Sequence, residues 1–144
     1  MIRPHVPAYL RQTVIQRARE CCEYCLTHQH HSPYSFHIDH VIPLKHGGQT
    51  EADNLALACN DCNQHKGTDF ATIDAETGDI IPLFNPRRHN WHDHFELAGA
   101  RINGHTAIGS GTVRILQLND ADRLADRQNL MEWGLYPPPE FEQQ

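Results

Sequence analysis

Two Cys-x-x-Cys pairs, Cys22-Glu23-Tyr24-Cys25 and Cys59-Asn60-Asp61-Cys62, bracket the residues of this chain that can do chemistry. Between them run His37-Ile38-Asp39-His40-Val41-Ile42-Pro43, Gly47-Gly48 and Asn54-Leu55, and Asn63 follows the last cysteine directly. Four thiolates in two close pairs fill a tetrahedral zinc shell and leave no open position for a substrate, so a zinc held by Cys22, Cys25, Cys59 and Cys62 is structural. The chemistry then falls to Asp39, His40, Asn54 and Asn63. Cys21, the fifth cysteine, would need a three-residue spacing to pair with Cys25, and is read as lying outside the ligand set.

The inner set matches the needs of phosphodiester hydrolysis. Asp39 and Asn63 offer hard oxygen ligands to one divalent ion, Mg²⁺ or Mn²⁺, which acts as a Lewis acid on the phosphate and the leaving O3′. His40, neutral near pH 7, can take the proton of the attacking water. Water attack with O3′ leaving gives 5′-phosphate and 3′-hydroxyl ends. Only one carboxylate lies inside the motif, which argues against a two-metal site. Lys66 is a candidate phosphate ligand, and Arg87 and Arg88 are candidate nucleic-acid contacts, balanced against a plain solvated face. His37 reads as a surface or supporting residue. His28, His30 and His31 look like a metal tract but, as loop histidines, are read as solvated.

These groups need elements to hold them. Leu10, Val14, Ile15 and Ala18 share one helical face and predict a helix that delivers the chain to Cys22. Residues 28–35 read as a loop, Phe36 to Ile42 as a strand ending at Pro43, and Leu55-Ala56-Leu57-Ala58 as a second strand. A short helix after Cys62 should stop at Gly67. Consecutive strand residues face opposite sides, so the chain must bend or end at Asp39-His40, and Asn54 can tie that bend through backbone groups. Further on, Thr77-Gly78-Asp79 marks a turn before Ile80 to Phe84. His94–Leu97 and Arg101–Asn103 read as a hairpin turning at Gly99, with the nearby aromatics packed in the core. Val113–Leu118 is open between strand and helix, since Gly109 and Gly111 weaken a long helix. Asn119 is the expected N-cap of a last helix through Leu124 and Leu130 to Trp133, and Pro137-Pro138-Pro139 onward reads as a frayed or extended tail.

At 144 residues and without a long apolar run or a charged-then-apolar leader, the chain is expected to be one soluble, cytoplasmic domain with no membrane segment. Five cysteines without such a leader suit metal ligation better than disulfides. The net charge of −6 argues mildly against nucleic acid. Its distribution is polar, however: Arg3, Arg11, Arg17 and Arg19 stand near the start, and Asp120, Asp122, Asp126, Glu132, Glu140 and Glu142 near the end.

The stretch Cys22-x-x-Cys25, Asp39-His40-x-x-Pro43, Gly47-Gly48, Asp53-Asn54-Leu55 and Cys59-x-x-Cys62-Asn63-x-x-Lys66-Gly67 resembles the HNH endonucleases. The resemblance implies an α+β fold: a ββα-metal core at about 20–68 stapled by the Cys₄ zinc site, preceded by a helix and followed by a strand-and-helix extension at about 69–134 and a tail at 135–144. It also implies a metal-dependent DNA endonuclease with His40 as general base. Asn63 stands where many members carry His, which favours Mg²⁺ or Mn²⁺ over softer metals. The segment from Asp74 to Arg87 and Trp91 to Phe95 looks like the extension of a bacterial subgroup. A non-catalytic zinc module that binds nucleic acid or protein, and a nuclease acting on RNA or junctions, are the alternatives.

Overall fold

The computed structural model describes residues 5–139. Arg3, Glu140 and Glu142, counted above in the charge distribution, lie outside the described residues, as does the end of the expected tail. The fold is α+β, with short antiparallel strand pairs and helices packed on them. Helix α1 spans Ala8–Arg17, with Leu10 and Val14 buried. It packs on strand β2 (Leu55–Ala58), which pairs antiparallel with β1 (His37–His40) so that His40 faces Leu55 and Asp39 faces Ala56.

All four residues of β2 are buried, which explains its unbroken apolar sequence. The other edge of β2 is covered by the first cysteine pair. Glu23 donates its backbone N–H to the Leu57 carbonyl (2.9 Å), and its carboxylate accepts the Leu57 N–H (2.9 Å). Helix α2 (Asn60–Lys66) begins inside the second cysteine pair, earlier than expected. The Cys59 thiol caps it by accepting the Cys62 N–H, and Gly67 ends it at φ 51°.

The extension follows as two hairpins and two helices. Strands β3 (Ala71–Ile73) and β4 (Ile80–Pro82) pair across the Asp74–Asp79 turn. A single helical turn, α3 (Trp91–His94), leads into β5 (Phe95–Ala98) and β6 (Arg101–Gly104). Trp91 and Phe95 are core residues, and the Trp91 indole donates to the Tyr24 carbonyl (3.0 Å).

Val113–Leu118 resolves as the end of helix α4 (Ala107–Ile115) and the turn after it. Gly109 sits inside this helix because a Cβ there would lie 2.0 Å from the His94 carbonyl oxygen. The glycine that weakens helix propensity is the one that lets the helix approach α3.

Helix α5 (Ala121–Glu132) corrects two expectations. Asp120, not Asn119, is its N-cap. Asn119 instead acts as a strand mimic on β6, accepting the Ile102 N–H (2.9 Å) and donating to the Ile102 carbonyl (2.7 Å). The buried positions of α5 are Arg123 and Arg127, whereas Trp133 is exposed. Tyr136, just before the expected tail, is buried and its hydroxyl donates to the Cys25 carbonyl (2.8 Å). One hydrophobic cluster runs from Leu10 through β2 and the cysteines to Phe95, Leu118 and Tyr136. Among the described residues, no helix is long and apolar enough to cross a membrane.

Candidate functional site: a cysteine cage beside an Asp-His strand end

The four cysteines converge. The Sγ atoms of Cys22, Cys25, Cys59 and Cys62 lie within 4.8 Å of one another, all buried, and Cys25 and Cys59 are 3.7 Å apart. A ZnS₄ tetrahedron with bonds of about 2.3 Å has edges of about 3.8 Å, so this cage can hold a zinc ion. The Cys25 and Cys62 N–H groups point at the Cys22 and Cys59 sulfurs (3.5 and 3.4 Å). Cys21 stands outside the group, as its spacing predicts.

A buried cation tests the charge of the cage. The Arg123 guanidinium donates through Nη2 to Cys62 Sγ (3.0 Å) and, more distantly, Cys59 Sγ (3.8 Å). Its Nη1 donates to the Leu116 carbonyl (2.8 Å). Burial opposes the charge on Arg123, but the Cys62, Cys25 and Cys59 sulfurs more than offset it and hold the group above the ordinary arginine value. A guanidinium has no acceptor capacity and does not deprotonate, so its burial against these sulfurs fits anionic, metal-bound thiolates. Nothing local in the sequence of α5 marks Arg123 as a buried residue.

Asp39 and His40 end β1 with different partners. Asp39 is 5 % exposed; Tyr24 donates its hydroxyl to Oδ2 (2.8 Å), and the Lys66 ammonium reaches Oδ2 and Oδ1 (3.2 and 3.3 Å). Burial pushes the Asp39 carboxyl up, with Lys66 and Tyr24 pulling against it. Lys66 is 1 % exposed and also donates to the His40 and Val41 carbonyls (3.2 and 3.0 Å). In this conformation it is the buried counter-ion of Asp39 and a clamp on the strand end, not a residue presented to a phosphate.

Asn63 lies one turn before Lys66, on the same side of α2, where α2 packs on β1. It is partly exposed, and its amide makes no hydrogen bond among the described residues.

His40 is half-buried, and its Nε2 lies 2.9 Å from the Thr50 hydroxyl. Burial lowers its pKa; Asp39 works against this, and Lys66 adds to it. The loop that supplies Thr50 is tied by Asn54, whose Oδ1 accepts the Ile42 N–H and whose Nδ2 donates to the Ile42 and Gln49 carbonyls, each at 2.9 Å. Gly48 lies under this clamp, where a Cβ would fall 1.7 Å from the Ile42 oxygen. Asn54 therefore places Gln49, and with it Thr50, against His40. Thr50 and Tyr24 were not singled out from sequence, since nothing local distinguishes a loop threonine or the tyrosine of a cysteine pair.

The remaining candidates fall elsewhere. His37 bonds the Asn60 side chain (3.2 Å) at the start of α2. His28, His30 and His31 stack on one another and bring no third metal ligand into range among the described residues. Arg87 is ion-paired with Glu23 and largely buried, while Arg88 is exposed.

Comparison with known proteins bears on the same stretch of chain. Residues 22–69 match the family model described as HNH endonuclease. The Septu protein PtuB of Bacillus thuringiensis is 24 % identical over 118 residues, covering 81 % of this chain and 43 % of that protein. The chain thus spans less than half the length of that curated relative. No solved structure matches it.

Proposed function

With an HNH endonuclease domain at residues 22–69 as premise, we propose that the protein is a metal-dependent endonuclease that hydrolyses DNA phosphodiester bonds, leaving 5′-phosphate and 3′-hydroxyl ends. The observation that carries this reading is His40, an imidazole whose pKa is lowered and whose Nε2 is fixed by Thr50, next in sequence to a buried carboxylate. When Nε2–H donates to Thr50, Nδ1 bears the lone pair and is the atom that takes the proton of the attacking water. Asp39 and Asn63 would hold one Mg²⁺ or Mn²⁺, whose Lewis acidity would stabilise charge on the phosphate and the leaving oxygen. Two protein oxygens suit Mg²⁺ in particular, which keeps several waters in its shell.

Asp39 is already neutralised by Lys66, so a divalent cation and the ammonium compete for one carboxylate. Lys66→Met should therefore destabilise the zinc-bound protein in the absence of the catalytic ion, because removing one partner of a buried ion pair costs about 3–5 kcal/mol. Mn²⁺ should then raise the melting temperature of the variant more than that of the wild type. Equal Mn²⁺ responses would mean that Asp39 does not hold the metal.

The activity itself is tested by cleavage of supercoiled plasmid with Mg²⁺, with Mn²⁺ or with no divalent ion added, with Asp39→Ala alongside and with RNA and four-way junctions as competing substrates. Metal-dependent nicking that Asp39→Ala abolishes without loss of zinc is the expected result. The capture of Asp39 by Tyr24 and Lys66 also suits the other reading, a zinc module that binds without cutting. DNA binding without cleavage in any divalent ion, equal in wild type and Asp39→Ala, would favour that module.

A further inference from the structure

Three arginines meet beside the Asn54 clamp. A cavity of about 530 Å³ is lined by Arg17, Asp53, Pro86, Arg87 and Arg88. Arg17 reaches it from the end of α1, tied to the Ala52 and Leu55 carbonyls (3.0 and 2.7 Å), which bracket Asn54. Arg87 gives Nη2 to Glu23, while its Nε and Nη1 are buried and find no partner within the described chain. Arg88 is exposed and makes no side-chain bond among the described residues. Three guanidinium groups and one carboxylate, Asp53, thus line the cavity, in a chain that is acidic overall. Their mutual repulsion registers on Arg17, which burial and then the Arg87 charge pull below the ordinary arginine value.

The cavity also leads somewhere. Arg88 forms part of the wall of a neighbouring cavity of about 270 Å³, together with Val41, Ile42, Lys66 and His89. That second cavity borders the strand end just past Asp39 and His40. The two cavities share Arg88, and the second, lined largely by apolar residues such as Phe70, Leu83 and Phe84, adjoins Val41 and Ile42, the residues that follow Asp39 and His40.

We infer that the pocket of Arg17, Arg87 and Arg88 binds a backbone phosphodiester of the nucleic acid other than the one being cut, so that the strand passes Arg88 on its way to His40. A phosphate relieves the Arg17–Arg87 repulsion and accepts from planar guanidinium groups in the geometry they favour. The inference rests on the nuclease reading only in taking the polymer to be the substrate.

Duplex binding measured by fluorescence anisotropy across a salt series, with no Mg²⁺ or Mn²⁺ added so that the strand is not cut, tests it. Each lost phosphate contact lowers the slope of log affinity against log salt by about 0.9. Arg88→Gln alters an exposed side chain and should lower duplex affinity with an unchanged melting temperature, and Arg17→Gln/Arg88→Gln should remove the contact and lower the slope by about 0.9, the worth of one phosphate. In cleavage, Arg88→Gln should raise KM and leave kcat near wild type. Wild-type slope and affinity in the folded double variant would overturn the inference, even if the protein cuts DNA normally. Lowered slopes in a protein that cuts nothing would uphold it while the nuclease reading fails. A thermal shift by inorganic phosphate that the variants abolish, with duplex binding unchanged, would assign the pocket to a free anion and overturn the backbone assignment.

Discussion

Removing the metal from the cysteine cage, by strong chelation or by Cys62→Ser, is expected to unfold the protein rather than merely inactivate it. The cage joins three separate parts of the chain. Cys59 and Cys62 form the start of α2, with the Cys59 sulfur as its N-cap. Cys25 receives the Tyr136 hydroxyl at its carbonyl, and Arg123 of α5 lies against the Cys62 sulfur. Structural zinc contributes about 10–16 kcal/mol of apparent binding free energy in small domains, comparable to or above the whole stability of about 5–15 kcal/mol expected of a protein this size. Loss of the metal also leaves the Arg123 charge buried against neutral thiols.

Elemental analysis should give one zinc per chain, and chelation should collapse the circular dichroism spectrum and the melting transition together. Cys21→Ser should keep its zinc. Arg123→Met should weaken zinc binding by about 10- to 100-fold, as loss of a supporting group around a metal commonly does, with Arg123→Lys intermediate because it keeps the charge but not the fork. A stripped protein that retains its spectrum and melting temperature would refute the structural role.

The parts of this architecture legible in the sequence are those whose signal is local. The Leu10-Val14 stripe of α1, the four apolar residues of β2 and the turn at Thr77-Gly78-Asp79 each announce themselves within a few positions, and the structure places elements there. The paired spacing of the cysteines likewise carried the cage and the exclusion of Cys21.

What escaped depends on contacts far along the chain. Gly109 argued against a helix by propensity, but the close approach to His94 decides its identity. Asn119 has the chemistry of an N-cap, and its amide went instead to β6. Arg123 and Arg127 look like solvent-facing charges on a polar helix, yet both point inward, onto sulfurs and onto the Ala100 and Leu118 carbonyls. Charge alone does not say which arginine has an acceptor waiting for it. Lys66 follows the same rule: four residues after Cys62 it reads as a phosphate ligand, and in the fold it is closed over Asp39.

The same long-range logic sharpens what to expect of His40. Its replacement by Ala should leave zinc and fold intact and lower cleavage by about 10²- to 10⁴-fold, the usual worth of a general base. The pH profile should separate this role from a merely structural one. The base is the neutral imidazole, so activity falls as pH drops through the His40 pKa. Burial, with Lys66 assisting and Asp39 opposing, holds that pKa below the ordinary value of about 6.5. The base form therefore persists further into acid than for a free histidine, and the acid limb of the rate profile should lie below that value. Thr50→Val removes the partner at Nε2 without removing the imidazole. It should lower kcat while leaving duplex affinity unchanged, because a ring free to turn presents Nδ1 to water less often. A His40→Ala protein that cuts at the wild-type rate would end the general-base assignment. An acid limb at or above the ordinary histidine value would mean that the group titrating in the rate is not this half-buried imidazole.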